Sequence, residues 1–216
     1  MKVYKNYVNG EWVVGAGSRE VFNPATGEPF AIVPEAGKTD VDRAVKAARA
    51  AFDSTNWRDS ANAMARGRVL FKMAELVRQN AAMLAELETL NCGKPIVESE
   101  FDMNDVATCF EYFGGMATKI HGETLNVPDN ALNFTLREPV GVAALVIPWN
   151  YPLMMVAWKL GPALAAGCAV VLKPAEQTPL TALEFAKLVQ KNIPELPPGV
   201  FNVVTGDAVA GRALVE

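Results

Sequence analysis

Val142-Ala143-Ala144-Leu145-Val146-Ile147, Ala169-Val170-Val171-Leu172 and Val200-Phe201-Asn202-Val203-Val204 are three short apolar runs set among helical patterns. Helices are predicted from about Leu153 to Ala166, from Leu180 to Lys191 and from Val209 onward to Val215. Strands that are apolar without alternation belong to parallel sheets covered on both faces. The crossovers between them are expected to be right-handed. Ligands of such sheets bind beyond the C-terminal strand ends. The residues that follow Ile147, Leu172 and Val204 are therefore where function is sought.

After the first strand come Pro148-Trp149-Asn150-Tyr151-Pro152. Proline is accepted in the first turn of a helix, so Asn150 falls at a strand-to-helix corner. Its amide there is either a helix cap or a donor to a developing oxyanion. After the second strand come Lys173-Pro174-Ala175-Glu176-Gln177-Thr178-Pro179. Lys173 as donor and Glu176 as acceptor, three residues apart, suit a sugar diol or form a plain surface ion pair. After the third strand, Gly206 and Gly211 flank four residues and allow a flat ligand to approach the backbone. The glycine fingerprint Gly-x-Gly-x-x-Gly and a phosphate loop ending Gly-Lys-Ser or Gly-Lys-Thr are both missing.

Upstream, the pattern changes. Tyr4–Tyr7 and Glu11–Val14 flank Asn9-Gly10, a type I′ hairpin signal. Glu20–Phe22 and Phe30–Val33 flank the turn Asn23-Pro24-Ala25-Thr26-Gly27. Thr39 with Asp42 reads as a capping box ahead of Val41, Ala44, Val45, Ala48 and Phe52. Helices are predicted over about Ala61–Gln79 (Val69, Leu70, Met73, Val77 aligned), Ala81–Leu90 (Leu84, Leu87, Leu90) and Glu98–Met116 (Met103, Val106, Phe110, Phe113). From His121 to Pro139 the helical pattern breaks. Pro128 and Asp129 read as loop and Phe134–Glu138 as a polar strand, an arm outside the main body.

The 216 residues are half hydrophobic, with a formal net charge of -4. No basic cluster points to nucleic acid. No run approaches the roughly 18 apolar residues of a membrane helix, and no apolar stretch behind Met1–Asn6 reads as a leader. Cys92, Cys109 and Cys168 lack metal-ligand spacing, and His121 is the only histidine. No protein-built metal site is expected, and reduced thiols suggest a cytoplasmic protein.

Taken in order, Ile147–Leu153, Trp158-Lys159-Leu160-Gly161-Pro162-Ala163-Leu164 and Leu172–Leu180 closely resemble aldehyde dehydrogenases. Asn23–Glu28 and Gly93-Lys94-Pro95 match as well, so the resemblance covers essentially the whole chain. It implies an α/β fold with a Rossmann-like parallel sheet, truncated here, carrying N-terminal strands and helices and a strand arm. Residues 1–120 and 140–216 would form an incomplete NAD-binding domain and 121–139 the oligomerisation arm, with the catalytic domain absent. It implies oxidation of a small aldehyde to a carboxylate with NAD. Asn150 would donate to the oxyanion and Lys159 support it. Ile147, Pro148 and Trp149 would line the coenzyme channel, Lys173 and Glu176 bind the adenosine ribose, and Gly206 and Gly211 approach the adenine. Glu176 repels a 2′-phosphate, so NAD is expected over NADP. Tyr151 and Trp158, two helical turns apart with Met155 between them, would border the aldehyde tunnel. Their rings suit an ammonium group, as in aminoaldehydes or betaine aldehyde.

The family's mechanism uses a cysteine thiolate and a water-activating glutamate that lie beyond position 216 in family order. None of the three cysteines fits by motif. The 216 residues alone are therefore expected to lack dehydrogenase activity, as a truncated chain or one completed by the missing C-terminal portion. The alternative is a non-catalytic nucleotide-binding or subunit-pairing module. A homo-oligomer is expected from the arm. Some relatives hold a monovalent cation near the end of the third helix. Asn91 stands there where a carboxylate is frequent, so potassium or sodium is a further candidate ligand.

Overall fold

The computed structural model describes residues 1–128 and 130–216. Asp129, expected in the loop before the arm strand, lies outside them. The chain opens with β1 (Lys2–Val3), β2 (Asn6–Val8) and β3 (Glu11–Val13). Between β2 and β3, Asn9 has φ 54° and Gly10 φ 81°. A type I′ turn requires this left-handed pair. β4 (Gly17–Phe22) and β5 (Pro29–Glu35) pair antiparallel, and β1 joins β5 in parallel to make a small three-stranded sheet.

Helix α1 (Lys38–Ser54) starts earlier than the Thr39–Asp42 box suggests. Its N-cap is Gly37, whose N–H bonds Asp40 Oδ2 at 3.0 Å. The same oxygen accepts from the Ala16 N–H at 3.0 Å, so a tertiary contact fixes where the helix begins. Then come α2 (Ala63–Gln79), α3 (Ala81–Cys92) and α4 (Ile96–Met116). Their apolar stripes are buried largely where periodicity places them, with one departure on α3. Leu90 is exposed, and the inward positions are Leu84, Ala85, Glu88 and Asn91.

Among the described residues the arm contains β6 (Thr124–Leu125) paired with β7 (Asn133–Phe134). The expected strand through Glu138 shortens to two residues because, among the described residues, no neighbour continues the ladder beyond the Thr135 N–H to Glu123 carbonyl bond.

The main sheet is built from β8 (Val142–Val146), β9 (Ala169–Lys173) and β10 (Phe201–Val203), joined by α5 (Pro152–Ala166) and α6 (Leu180–Asn192), with α7 (Ala208–Ala213) following. These three strands are parallel, as the apolar runs predict. The sheet is wider than expected, in the order β3-β2-β10-β9-β8, because the N-terminal hairpin adds to the far edge through Tyr7 opposite Val203. Buried Asn6 secures this junction, its Oδ1 accepting from the Thr205 N–H at 2.9 Å and from the Thr205 hydroxyl at 3.1 Å.

Helices cover both faces of the sheet. Val170 and Leu172 of β9 enter the larger apolar cluster with α2 to α6. Ala169 and Val171 enter the smaller one with α1 and α7. β8 is the edge, with Ala144 and Val146 exposed. Buried Arg66 anchors the far end of α5. Its Nε donates to the Ala165 carbonyl at 3.1 Å, and its Nη1 to those of Trp57 and Asp59 at 2.7 and 2.8 Å. Carbonyls at a helix C-terminus are the negative end of its dipole, so they suit a cation that burial would otherwise disfavour. Among the described residues no helix is long and apolar enough to cross a membrane.

Candidate functional site

The three loops singled out from the sequence leave one edge of the sheet. Val146 is paired with Lys173, and the Ile147 N–H donates to the Lys173 carbonyl at 3.1 Å. The Val204 N–H donates to the Leu172 carbonyl at 2.9 Å. Lys173 ends the β9 alternation on the α7 side. Its Nζ donates to the Pro174 carbonyl at 3.1 Å and lies 3.9 Å from Glu176 Oε2. Burial pushes this ammonium below the usual lysine range, and Glu176, Asp207 and Glu35 oppose the shift. A Cβ on Gly211 would sit 3.6 Å from Lys173 Cε, so α7 lies against the lysine stem. Gly206 also serves its own turn. Its φ of 157° and the 2.8 Å that a Cβ would have from Ala210 Cβ tie it to the turn itself.

A cleft of about 680 Å³ lies beside this edge, lined by Trp149, Glu176, Thr178, Cys92, Arg19 and Phe22 among others. Trp149 and Glu176 therefore share one cavity. Pro148 is exposed, whereas Ile147 sends its side chain into the larger apolar cluster. Arg19 was not anticipated. It pairs with Glu35 and lies 3.5 Å from Asp207 Oδ2, completing a charged group around Lys173 and Glu176. A lone arginine on a short strand gives no sequence signal, since its partners are brought by β5 and α7.

Asn150 is exposed, and among the described residues its side chain takes no hydrogen-bond partner. It does not cap α5. The N-cap is Tyr151, and the Leu153 N–H is taken by Glu88 Oε2 at 3.2 Å. Glu88 is fully buried, and burial raises its carboxyl above the usual range against the pull of Lys94. Lys94 Nζ lies 3.4 Å from Glu88 Oε1 and is bonded to Asp102. It also sits 4.2 Å from the Tyr151 ring centre. Cys92 Sγ donates to the Trp149 carbonyl at 3.3 Å. The sequence held one clue to this network: Glu88 and Asn91 follow Leu84 at helical spacing, two polar residues on an apolar stripe.

Asn91 is committed at both ends of its amide. Its Nδ2 donates to the Gln177 carbonyl at 2.9 Å, and its Oδ1 accepts from the Leu180 N–H at 3.1 Å. The residues present do not fit a monovalent cation here: a donor N–H already meets the carbonyl oxygen that would face it. Among the described residues no cluster of His, Cys, Asp or Glu suits a metal ion.

Tyr151 is the N-cap of α5, and Met155 and Trp158 lie within the helix. Trp158 lines a second cleft, of about 570 Å³, with Asp105, Cys109, Tyr112, Phe113 and Met154. Met155 is half-buried against the core. Lys159 is exposed, with no hydrogen-bond partner among the described residues. Of the thiols, burial pushes Cys109 up to about 11, raises Cys92 in the same sense, and encloses Cys168.

Residues 12–216 match the model of the aldehyde dehydrogenase family. The chain belongs to that family. It is 49% identical to human mitochondrial aldehyde dehydrogenase over 97% of its own length and 41% of that protein's. Against human retinal dehydrogenase 2 the identity is 46%, over all of this chain and 42% of the relative. Among solved structures, a point-mutant betaine aldehyde dehydrogenase from Staphylococcus aureus in complex with NAD+ superposes with a TM-score of 0.92 at 38% identity, covering 97% of this chain and 43% of that one. An aldehyde dehydrogenase from Bacillus cereus gives 0.93 at 44% identity, covering 99% and 44%. The chain thus spans about two fifths of the length of the family members it matches.

Proposed function

We propose that this chain binds the adenosine ribose of NAD between Lys173 and Glu176 and offers the Asn150 amide to the oxygen of an aldehyde undergoing oxidation to a carboxylate. The observation that carries the reading is the pair itself, 3.9 Å apart, at the sheet edge from which the Trp149–Asn150 loop also leaves. An ammonium has only donors and a carboxylate only acceptors, so the two suit adjacent hydroxyls. Trp149 and Pro148 wall the coenzyme path, Ile147 contributes backbone, and Gly211 and Gly206 stand toward the adenine. When bound, NAD supplies the hydride acceptor. Asn150 stabilises developing negative charge, for which one such donor is worth about 2.7–4 kcal/mol. Lys159 supports that amide from α5. Calorimetry with NAD tests the ribose site. Glu176→Ala is expected to weaken binding at least about tenfold, the worth of one lost charged hydrogen bond. Equal affinities would overturn the assignment.

The proposed substrate class is an aldehyde bearing an ammonium group. Trp158 and Asp105 line the second cleft together, and an indole face beside a carboxylate suits a cation. Tyr151 contributes less than the sequence suggests, since Lys94 already lies against its ring. Betaine aldehyde is expected to be preferred, by kcat/KM, to its neutral isostere with a tert-butyl group in place of trimethylammonium. Equal values would remove the class.

A second reading, a nucleotide-binding or subunit-pairing module without chemistry of its own, is favoured by the state of the thiols. None of the three is both exposed and activated. In it, residues 1–120 and 140–216 form the nucleotide unit and 121–139 the pairing arm of a homo-oligomer. Aldehyde-dependent NADH formation by the purified 216-residue chain would eliminate this reading, and NAD binding without turnover would support it.

A further inference from the structure

The corner between α3 and α4 reaches the loop around Asn150 at three points that the ribose site does not use. Cys92 Sγ meets the Trp149 carbonyl at 3.3 Å. The Lys94 ammonium lies 4.2 Å from the Tyr151 ring centre. Glu88 Oε2 takes the Leu153 N–H at 3.2 Å. The contacted residues alternate along the loop and stand on both sides of Asn150, whose side chain takes no partner among the described residues. Helix caps are normally local side chains. Here the acceptor comes from 65 residues away and is fully buried. Lys94 holds it in turn, through the same Nζ that is bonded to Asp102. A buried trio of two carboxylates and one ammonium is a weak source of stability, since desolvation offsets most of the attraction. What it does supply is direction. The carboxylate is held on both sides, so it fixes the first turn of α5, and that turn fixes the corner preceding it.

We propose that Glu88 and Lys94 are positioning residues that hold the Asn150 amide at the sheet edge. The proposal rests on the oxyanion reading of Asn150 above. Losing the Glu88 acceptor frees the Leu153 N–H and lets the corner turn. A shift of about 1 Å at a reacting geometry costs on the order of a hundredfold in rate.

The test is a double-mutant cycle in the protein carrying these 216 residues. Glu88→Ala is expected to lower kcat roughly 30- to 100-fold with KM for NAD within about twofold, and Glu88→Gln, which keeps an acceptor oxygen, to recover most of it. In an Asn150→Ala background the same Glu88→Ala change is expected to cost less than about threefold, because the group it positions is gone. Equal losses in both backgrounds would mean a general structural role and overturn the proposal. An Asn150→Ala variant with unchanged kcat would instead remove the oxyanion reading, and the proposal with it, a distinguishable result. Should Glu88→Ala not fold, amide exchange in Lys94→Met decides. Faster exchange confined to residues 149–153, with β9 unchanged, supports positioning, and uniform acceleration refutes it.

Discussion

Lys173 carries its charge where charge is costly, and this gives it a pH signature. Burial lowers its folded pKa below the value it would have in the unfolded chain. Between those two values the unfolded chain binds more protons, so this group makes stability rise with pH across that alkaline window and fall as pH drops through the folded pKa. The ligand role proposed for it runs the other way. As the ammonium is lost, the ribose donor weakens, so NAD affinity is expected to fall toward alkaline pH sooner than for a solvent lysine. Titrating Kd against pH checks this, and Lys173→Arg, which stays charged, is expected to flatten the profile. The partner residue is the one proposed to set coenzyme choice. Glu176→Gln is expected to narrow the preference for NAD over NADP, measured as the ratio of their Kd values, and an unchanged ratio would detach Glu176 from the ribose. The placement of Lys173, Glu176 and Asn150 was legible because each lies within a few residues of a recognisable strand end, while their roles rest on the proposal. Arg19 and Glu88 were not, because what makes them important is brought from elsewhere in the chain.

At the scale of elements, α6 shows how a distant side chain can begin a helix. Asn91 closes α3 and at the same time holds the Gln177 carbonyl and the Leu180 N–H. Asn91→Ala leaves the buried Leu180 N–H without its partner and frees the part-buried Gln177 carbonyl, and a loss of about 1–3 kcal/mol is expected from denaturant unfolding. Because the amide already engages the Gln177 carbonyl and the Leu180 N–H, Tm is expected to be the same in potassium, sodium and choline chloride at equal ionic strength. A potassium-specific rise would reverse that reading. The hairpin at Asn9-Gly10 was readable because its turn type is dictated by two adjacent residues. The start of α1 was misplaced for the opposite reason, since the contact between Asp40 and Ala16 is invisible to local pattern. The polar segment through Glu138 was read as a full strand, and a strand needs a neighbour as much as a propensity.

On the whole-molecule scale, the parallel order of β8, β9 and β10 followed from their apolar runs and the helices between them. The other edge did not, because Asn6 and Thr205 are 199 positions apart in the chain and no local signal links them. Phe110 and Phe185 stack 5.3 Å apart at full burial and join α4 to α6. Phe110→Ala is expected to cost about 3–5 kcal/mol in denaturant unfolding. A loss under about 1 kcal/mol would mean that the core collapses around the void. β9 separates the two apolar clusters and contributes to each with alternate residues. Neither layer can melt without stripping the shared wall from the other, so the 216 residues should lose structure cooperatively, with calorimetric and van't Hoff enthalpies in agreement.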